Sequence, residues 1–157
     1  MRESELYPDV KEWLDNYLRE NYKGYSIDTT DKTSRKTLEN VLREKKMIVP
    51  QEVKGLPIKV DIVGILKRKQ QVKFVFVEVK MEPLTLIDLG QLWVYSSLVE
   101  PIESFLISPE GFGTLGYLFN TLKRVDLLIY GKGKKMMKIA KWDTRRKTID
   151  YTTMIPK

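Results

Sequence analysis

The first periodic stretch of the chain, "ESELYPDVKEWLDNYLRENY" (3–22), sets Leu6, Val10, Trp13, Leu14, Tyr17 and Leu18 at helical spacing between charged positions. That period predicts an amphipathic opening helix, with Ser4 as its N-cap and Gly24 as its stop. "SRKTLENVLREKKM" (34–47) has only a thin stripe of Leu38, Val41 and Leu42, which predicts a shorter peripheral helix capped by Ser34. The pattern then changes to two β-rich runs, 58–66 and 72–80, joined by the polar "KRKQQ", which is a hairpin. "TLIDLGQLWVYSSLV" (85–99) is apolar almost all round and predicts a helix buried on more than one side, with Thr85 and Asp88 at capping-box spacing. "ESFLIS" (103–108) reads as a strand and "FGTLGYLFNTLKR" (112–124) as a helix weakened by its glycines. "VDLLIYG", "MMKIAKWD" and "KTIDY" finish the chain as strands, with "GKGKK" as a turn. Leaving aside the short closing "KTIDY", the order α, α, β, β, α, β, α, β, β has no repeat and no low-complexity linker. It predicts one α/β domain over residues 1–157, with a mixed central β-sheet flanked by helices.

Composition narrows the chemistry. The chain has no cysteine and no histidine, which removes disulfides, thiolate nucleophiles, His-ligated zinc and Ser-His-Asp hydrolysis. Any catalysis must then rest on carboxylates, lysines and hydroxyls, with or without a hard metal ion. No apolar run reaches the ~20 residues of a membrane span, and "MRESELYPDV" has no signal-peptide core, so the expected address is the cytoplasm.

Charge is uneven. Residues 1–110 hold 17 Lys and Arg against 18 Asp and Glu, whereas residues 111–157 hold 11 against 3. This basic C-terminal extension suits a polyanion such as nucleic acid, and a lysine-rich solvated surface is the plainer alternative.

The hairpin carries an anomaly, because the apolar run "FVFVEVK" ends with Glu78 and Lys80 on one side. Pairing residue 67 with 72 sets Asp61 opposite Glu78. Two facing carboxylates in such a setting repel and resist desolvation. Either one is protonated, or a cation, lysine or hard divalent ion, sits between them. A plain ion pair of Asp61 with Lys80, leaving Glu78 in water, is the structural alternative.

Asp61 in "IKVDIVGI", followed after the hairpin by "VFVEVK", resembles the PD-(D/E)XK nuclease superfamily, which includes restriction endonucleases and archaeal Holliday-junction resolvases. The likeness covers residues 3–108, and the opening "ESELYPDVKEWL" is similar to the start of nuclease-like members. No proline directly precedes Asp61. The resemblance implies a restriction endonuclease-like core with Asp61, Glu78 and the Val79 carbonyl as ligands of Mg²⁺ or Mn²⁺, and Lys80 as the catalytic lysine. It implies a further acid from the first helix, Glu5 in preference to Glu3, and a polar residue from the helix after the strand, Gln91, with Tyr95 behind it. The expected activity is DNA endonuclease action on branched or otherwise structured DNA by a homodimer. Lys132, Lys134, Lys135, Lys138, Arg145, Arg146 and Lys147 would track phosphates. Trp13, Trp93 and Trp142 are expected in the core or an interface rather than as base-stacking platforms. The other classes are a non-catalytic nucleic-acid-binding module and a basic protein that meets an acidic partner.

Overall fold

Alternation along the hairpin divides the molecule into two cores. In the computed structural model, which describes residues 2–157, strand β2 (Ile62–Arg68) pairs antiparallel with β3 (Gln71–Val79). Val75, Val77 and Val79 pack on one side of the sheet with Ile62 and Leu66, while Phe74 and Phe76 pack on the other with Val63 and Ile65. Period-two side-chain direction forces that division.

Helix α1 (Tyr7–Asn21) covers the first side through Val10, Trp13, Leu14 and Leu18, the stripe legible in the sequence. Its approach is close because β2 has Gly64 beneath it. A Cβ there would sit 2.5 Å from Leu18 Cδ1, well inside van der Waals contact. Helices α2 (Leu38–Glu44) and α3 (Leu86–Val99) cover the second side.

Four more strands complete the sheet: β1 (Ser26–Thr30), β4 (Glu103–Ser108), β7 (Lys138–Asp143) and β8 (Thr148–Ile155), in the order β1-β2-β3-β4-β7-β8. Strands β3, β4 and β7 run parallel, and β1, β2 and β8 are antiparallel to their neighbours. A separate ribbon of β5 (Ile129–Tyr130) and β6 (Lys135–Met136) lies outside it. The fold is the expected α/β arrangement, a mixed six-stranded central sheet flanked by helices. No helix among the described residues is long and apolar enough to cross a membrane.

The hairpin register matches the expected one, with Lys67 opposite Val72. The α3 capping box is also present: the Asp88 N–H donates to Thr85 Oγ1 and the Thr85 N–H to Asp88 Oδ2. Other local expectations are corrected. A 3₁₀ turn, Glu3–Glu5, precedes α1, so Ser4 caps nothing. Thr37, not Ser34, caps α2, accepting from the Asn40 N–H, because the chain spends 32–34 in another 3₁₀ turn. Strand β1 went unpredicted because Ile27 is the sole large apolar residue in "SIDTT"; it is an edge strand held by its backbone ladder to β2. Residues 112–124 form only a helical turn, Thr114–Gly116, running into the wider turn Tyr117–Thr121. Most of the expected strand 125–131 is the 3₁₀ turn Val125–Leu128. Helix α3 buries Leu89, Leu92, Ser96 and Val99 on a single side, rather than being enclosed on several.

Candidate functional site

Asp61 and Glu78 hold each other at the end of the β2–β3 hairpin. The Asp61 N–H donates to Glu78 Oε1 at 3.0 Å, and the Val79 N–H donates to Asp61 Oδ2 at 2.8 Å. The second Asp61 oxygen accepts from the Tyr7 hydroxyl at 2.7 Å. Asp61 lies one residue before β2, so its chain is free to turn that carboxylate toward β3 while keeping the register of the hairpin.

Glu78 is 8% exposed. Burial pushes its carboxyl up to about 8, the adjacent Asp61 charge adds to the rise, and hydrogen bonding from the Asp61 backbone and the Lys80 charge oppose it. Lys80 Nζ lies 3.4 Å from Glu78 Oε2 and 4.0 Å from Asp88 Oδ1. Burial works against the lysine's charge, but Glu78, Glu3, Asp61 and Asp88 around it outweigh that and hold its pKa above the ordinary value. The plain alternative, Lys80 paired with Asp61 and Glu78 in water, is therefore not the arrangement found: the lysine pairs with Glu78, and Glu78 is the buried partner.

Of the two N-terminal acids it is Glu3, in the 3₁₀ turn before α1, that lies near Lys80. Glu3 is half-buried against the Met81 backbone within the fields of Lys80, Asp61 and Asp88, and burial raises its carboxyl. Glu5 is exposed. With three residues per 3₁₀ turn, positions two apart point to different sides, so only one of these acids can face β3. Gln91 is likewise exposed, and among the described residues no hydrogen bond ties it to the site; Asp88, one helical turn earlier, is the α3 side chain that reaches Lys80. Tyr95 packs against the core on the α3 side. Val79 meets Asp61 through its N–H.

Tyr7 is not among the residues that the sequence pointed to. Its hydroxyl pKa rises well above the usual value, first from burial and then from its bond to the Asp61 carboxylate. The signal available was its place in the first turn of the opening helix, beside Glu3.

The basic tail divides between the two ends of the sheet. The carboxyl ends of the parallel strands, Val79, Ser108 and Asp143, share the end that carries the site, so Arg145, Arg146 and Lys147, which follow β7, lie there. Lys147 Nζ is 3.9 Å from Asp9 in the first turn of α1, and Arg146 is 3.9 Å from Asp143. Lys132, Lys134 and Lys135 precede β7 at the opposite end, where the Gly133 N–H donates to Glu100 Oε1. Lys138 belongs to a structural cluster: its ammonium is 2.8 Å from Glu103 Oε1, and Glu103 also accepts from the Tyr17 and Tyr22 hydroxyls. The single basic surface expected from composition is thus two, with Lys138 in neither. At the site's end the sequence reading passed over Lys32, Arg35 and Lys59, which are exposed and carry no ion pair among the described residues. They follow β1 or precede β2, and the antiparallel pairing brings both of those termini to this end.

Trp13 and Trp142 are core residues, edge-to-face at 6.2 Å, whereas Trp93 is 39% exposed on α3.

Chemically, the site offers only oxygen ligands beside an ammonium. Among the described residues no three acidic side chains form a cage for an ion. Two carboxylates fit a hard ion of the Mg²⁺ kind, which keeps waters and takes phosphate oxygens rather than an all-protein shell. Glu78, buried against a second carboxylate, is the group that such an ion would relieve.

No family model matches the sequence, no curated protein matches it, and no solved structure matches the fold.

Proposed function

We propose that this chain is a metal-dependent DNA endonuclease of the PD-(D/E)XK type, acting on branched or otherwise structured DNA as a pair of copies. The observation that carries the reading is the buried Glu78 carboxylate set against Asp61 and next to Lys80, at the end of the sheet where Arg145, Arg146 and Lys147 also lie. A purely structural role leaves this arrangement costly, since a buried carboxylate is set against a second one with a single close cation.

In this reading Asp61 and Glu78, as carboxylates, would hold Mg²⁺ or Mn²⁺, which would supply a nucleophilic water near neutral pH and offset charge on the phosphate oxygens. Tyr7 and the Val79 N–H fix the Asp61 carboxylate so that it does not have to be ordered on binding. Lys80, kept charged by the acids around it, orients the attacking water or donates to the phosphate as negative charge builds. Asp88 restrains the lysine from the α3 side. Hydrolysis forms a new P–O bond from water and breaks one P–O ester bond, the leaving oxygen taking a proton.

The test is cleavage of four-way, flapped, single-stranded and linear duplex DNA with Mg²⁺ or Mn²⁺, beside Asp61→Ala and Glu78→Ala. Cutting that needs metal and is lost in both variants supports the reading. No cutting of any substrate, or equal cutting by the variants, sinks it; salt-sensitive DNA binding without cutting would assign the chain to non-catalytic nucleic-acid binding.

A further inference from the structure

The end of the sheet away from the candidate site carries a basic surface of its own. Asp61 precedes β2 and Glu78 lies at the end of β3, so the β2–β3 turn is at the other end of the hairpin. Arg68 pairs with Gln71, which leaves Lys69 and Gln70 as a two-residue turn. Lys69 takes φ 57° there, a left-handed position that glycine or asparagine fills at least cost, so forming the turn does not call for a lysine. Lys67, Arg68 and Lys69 are exposed and Lys73 is half-buried, and among the described residues none of them is in an ion pair. The Arg68 guanidinium is held 4.4 Å over the Tyr25 ring, with the Lys73 ammonium 5.7 Å from the same centroid.

The segment that follows α2 meets this turn. The Met47 N–H donates to the Leu42 carbonyl at 3.0 Å, Lys45 pairs with Asp28 at 2.6 Å, and Val49 is buried, so the chain is tied down on both sides of Ile48. Ile48 is nevertheless 80% exposed. Beside it lies a hollow of about 180 Å³, lined by Met47, Ile48, Lys67, Lys69, Gln70 and Val72 with no acid among them. Lys46, exposed and next in the chain to Met47, adds a further cation without an ion pair among the described residues.

The cations call for an anionic partner, and the apolar part selects its kind. A nucleic-acid backbone would use the charges and leave Ile48 and the hollow against phosphate and water. A bilayer surface uses both: anionic headgroups meet the ammonium and guanidinium groups, while an aliphatic side chain enters the acyl boundary beneath them. The lysine stems that line the hollow then lie along that boundary with their charged heads at the level of the phosphates. A single exposed isoleucine is ordinary on a protein surface; one held out from a fixed segment between unpaired cations is a different feature.

We propose that the β2–β3 turn and residues 45–48 form a docking surface for an anionic lipid membrane, with Ile48 as the inserted side chain. The candidate site, at the opposite end of the sheet, then faces away from the bilayer. The inference does not rest on the nuclease reading, since no residue of this surface belongs to that site.

The full chain, without metal or DNA, is sedimented with vesicles of phosphatidylcholine alone and of phosphatidylcholine mixed with phosphatidylglycerol. Binding to the mixed vesicles that weakens with salt, and none to phosphatidylcholine alone, is expected. Each cation at such a surface is worth about fivefold in partitioning, so Lys67→Glu with Lys69→Glu should weaken binding by at least about 25-fold. Ile48→Asp should weaken it by about tenfold, and both variants should keep the wild-type melting temperature and circular dichroism spectrum. Because the chain has no cysteine, an environment-sensitive fluorophore attached through Ile48→Cys reports insertion. Its emission should shift to the blue on the mixed vesicles, whereas the same dye attached through Ile87→Cys, at a position 82% exposed on α3, should not shift. No sedimentation with the mixed vesicles, equal binding by the variants, or a shift at position 87 in place of 48 overturns the proposal. Duplex DNA bound through Lys67 and Lys69, with no vesicle binding by the wild type, overturns it in favour of nucleic acid. A protein that binds the mixed vesicles through Ile48 but cuts no DNA leaves this inference standing and removes only the nuclease reading.

Discussion

Asp61 and Glu78 are joined through the backbone: the Asp61 N–H donates to Glu78 Oε1 at 3.0 Å. Burial, with the adjacent Asp61 charge adding to it, pushes Glu78 up to about 8 despite that amide and the nearby Lys80. The folded value lies above the ordinary 4.5, so the folded state binds this proton more tightly than the unfolded chain. The contribution to stability is fully present below about pH 4.5 and is lost as the pH rises through about 8. In chelator, Glu78→Gln should therefore gain stability relative to the wild type between pH 5 and pH 9, ending about 1–3 kcal/mol more stable. Denaturant unfolding across that range checks this; parallel pH curves would show that Glu78 is not the strained group.

Metal should reverse that effect. Mn²⁺ or Mg²⁺ is expected to raise the melting temperature of the wild type at neutral pH, with little rise in Asp61→Asn or Glu78→Gln, because ligand binding to the folded state alone stabilises it. An equal rise in all three would place the bound ion elsewhere.

Lys80→Met should lower cleavage by about 10²–10⁴-fold, the range of a lost acid-base or charge-stabilising group. It also leaves Glu78, Glu3, Asp61 and Asp88 without the cation they surround. Reduced stability at neutral pH is the companion outcome, read by thermal melting. A variant that cuts at the wild-type rate would remove Lys80 from the mechanism.

Tyr7→Phe removes only the hydroxyl that holds Asp61 Oδ1. Loss of one hydrogen bond to a charged group is worth about 1.5–3 kcal/mol. If Tyr7 is a positioning residue, the loss should appear as a higher metal concentration for half-maximal cleavage, with the rate at saturating metal changed much less. A uniform drop at saturating metal would point instead to contact with the substrate.

Lys138 and the Arg145–Arg146 pair should behave oppositely. Lys138→Ala strips the ammonium from buried Glu103 and is expected to cost about 2–4 kcal/mol of stability without altering the salt dependence of DNA binding. Arg145→Ala with Arg146→Ala should leave stability nearly unchanged and reduce the salt slope of binding by about 2. Titrations at several salt concentrations, beside unfolding curves, separate the two.

Where sequence and structure agree, the information is local. Alternation through β2 and β3 determined the hairpin register, and with it the meeting of Asp61 and Glu78. The 3.6-residue stripe determined which side of α1 is buried, and the spacing of Thr85 and Asp88 determined the start of α3. Each depends on residues a few positions apart, or on a short hairpin whose turn leaves one pairing that keeps the apolar faces together.

What lay between distant segments was left to the tertiary structure. The 3₁₀ turn before α1 chose Glu3 over Glu5, since only docking against Met81 distinguishes two acids so close in sequence. The polar strand β1 exists because β2 offered an edge to pair with. The buried Glu103 carboxylate took Lys138 as its ion-pair partner, and the parallel order of β3, β4 and β7 sent the remaining basic residues to opposite ends. Helix α3 is apolar on both sides, and its pattern alone could not show that one side would meet the core and the other would remain exposed. Composition and period determine which side chains share a face; the neighbour of that face is decided only when the chain has closed on itself.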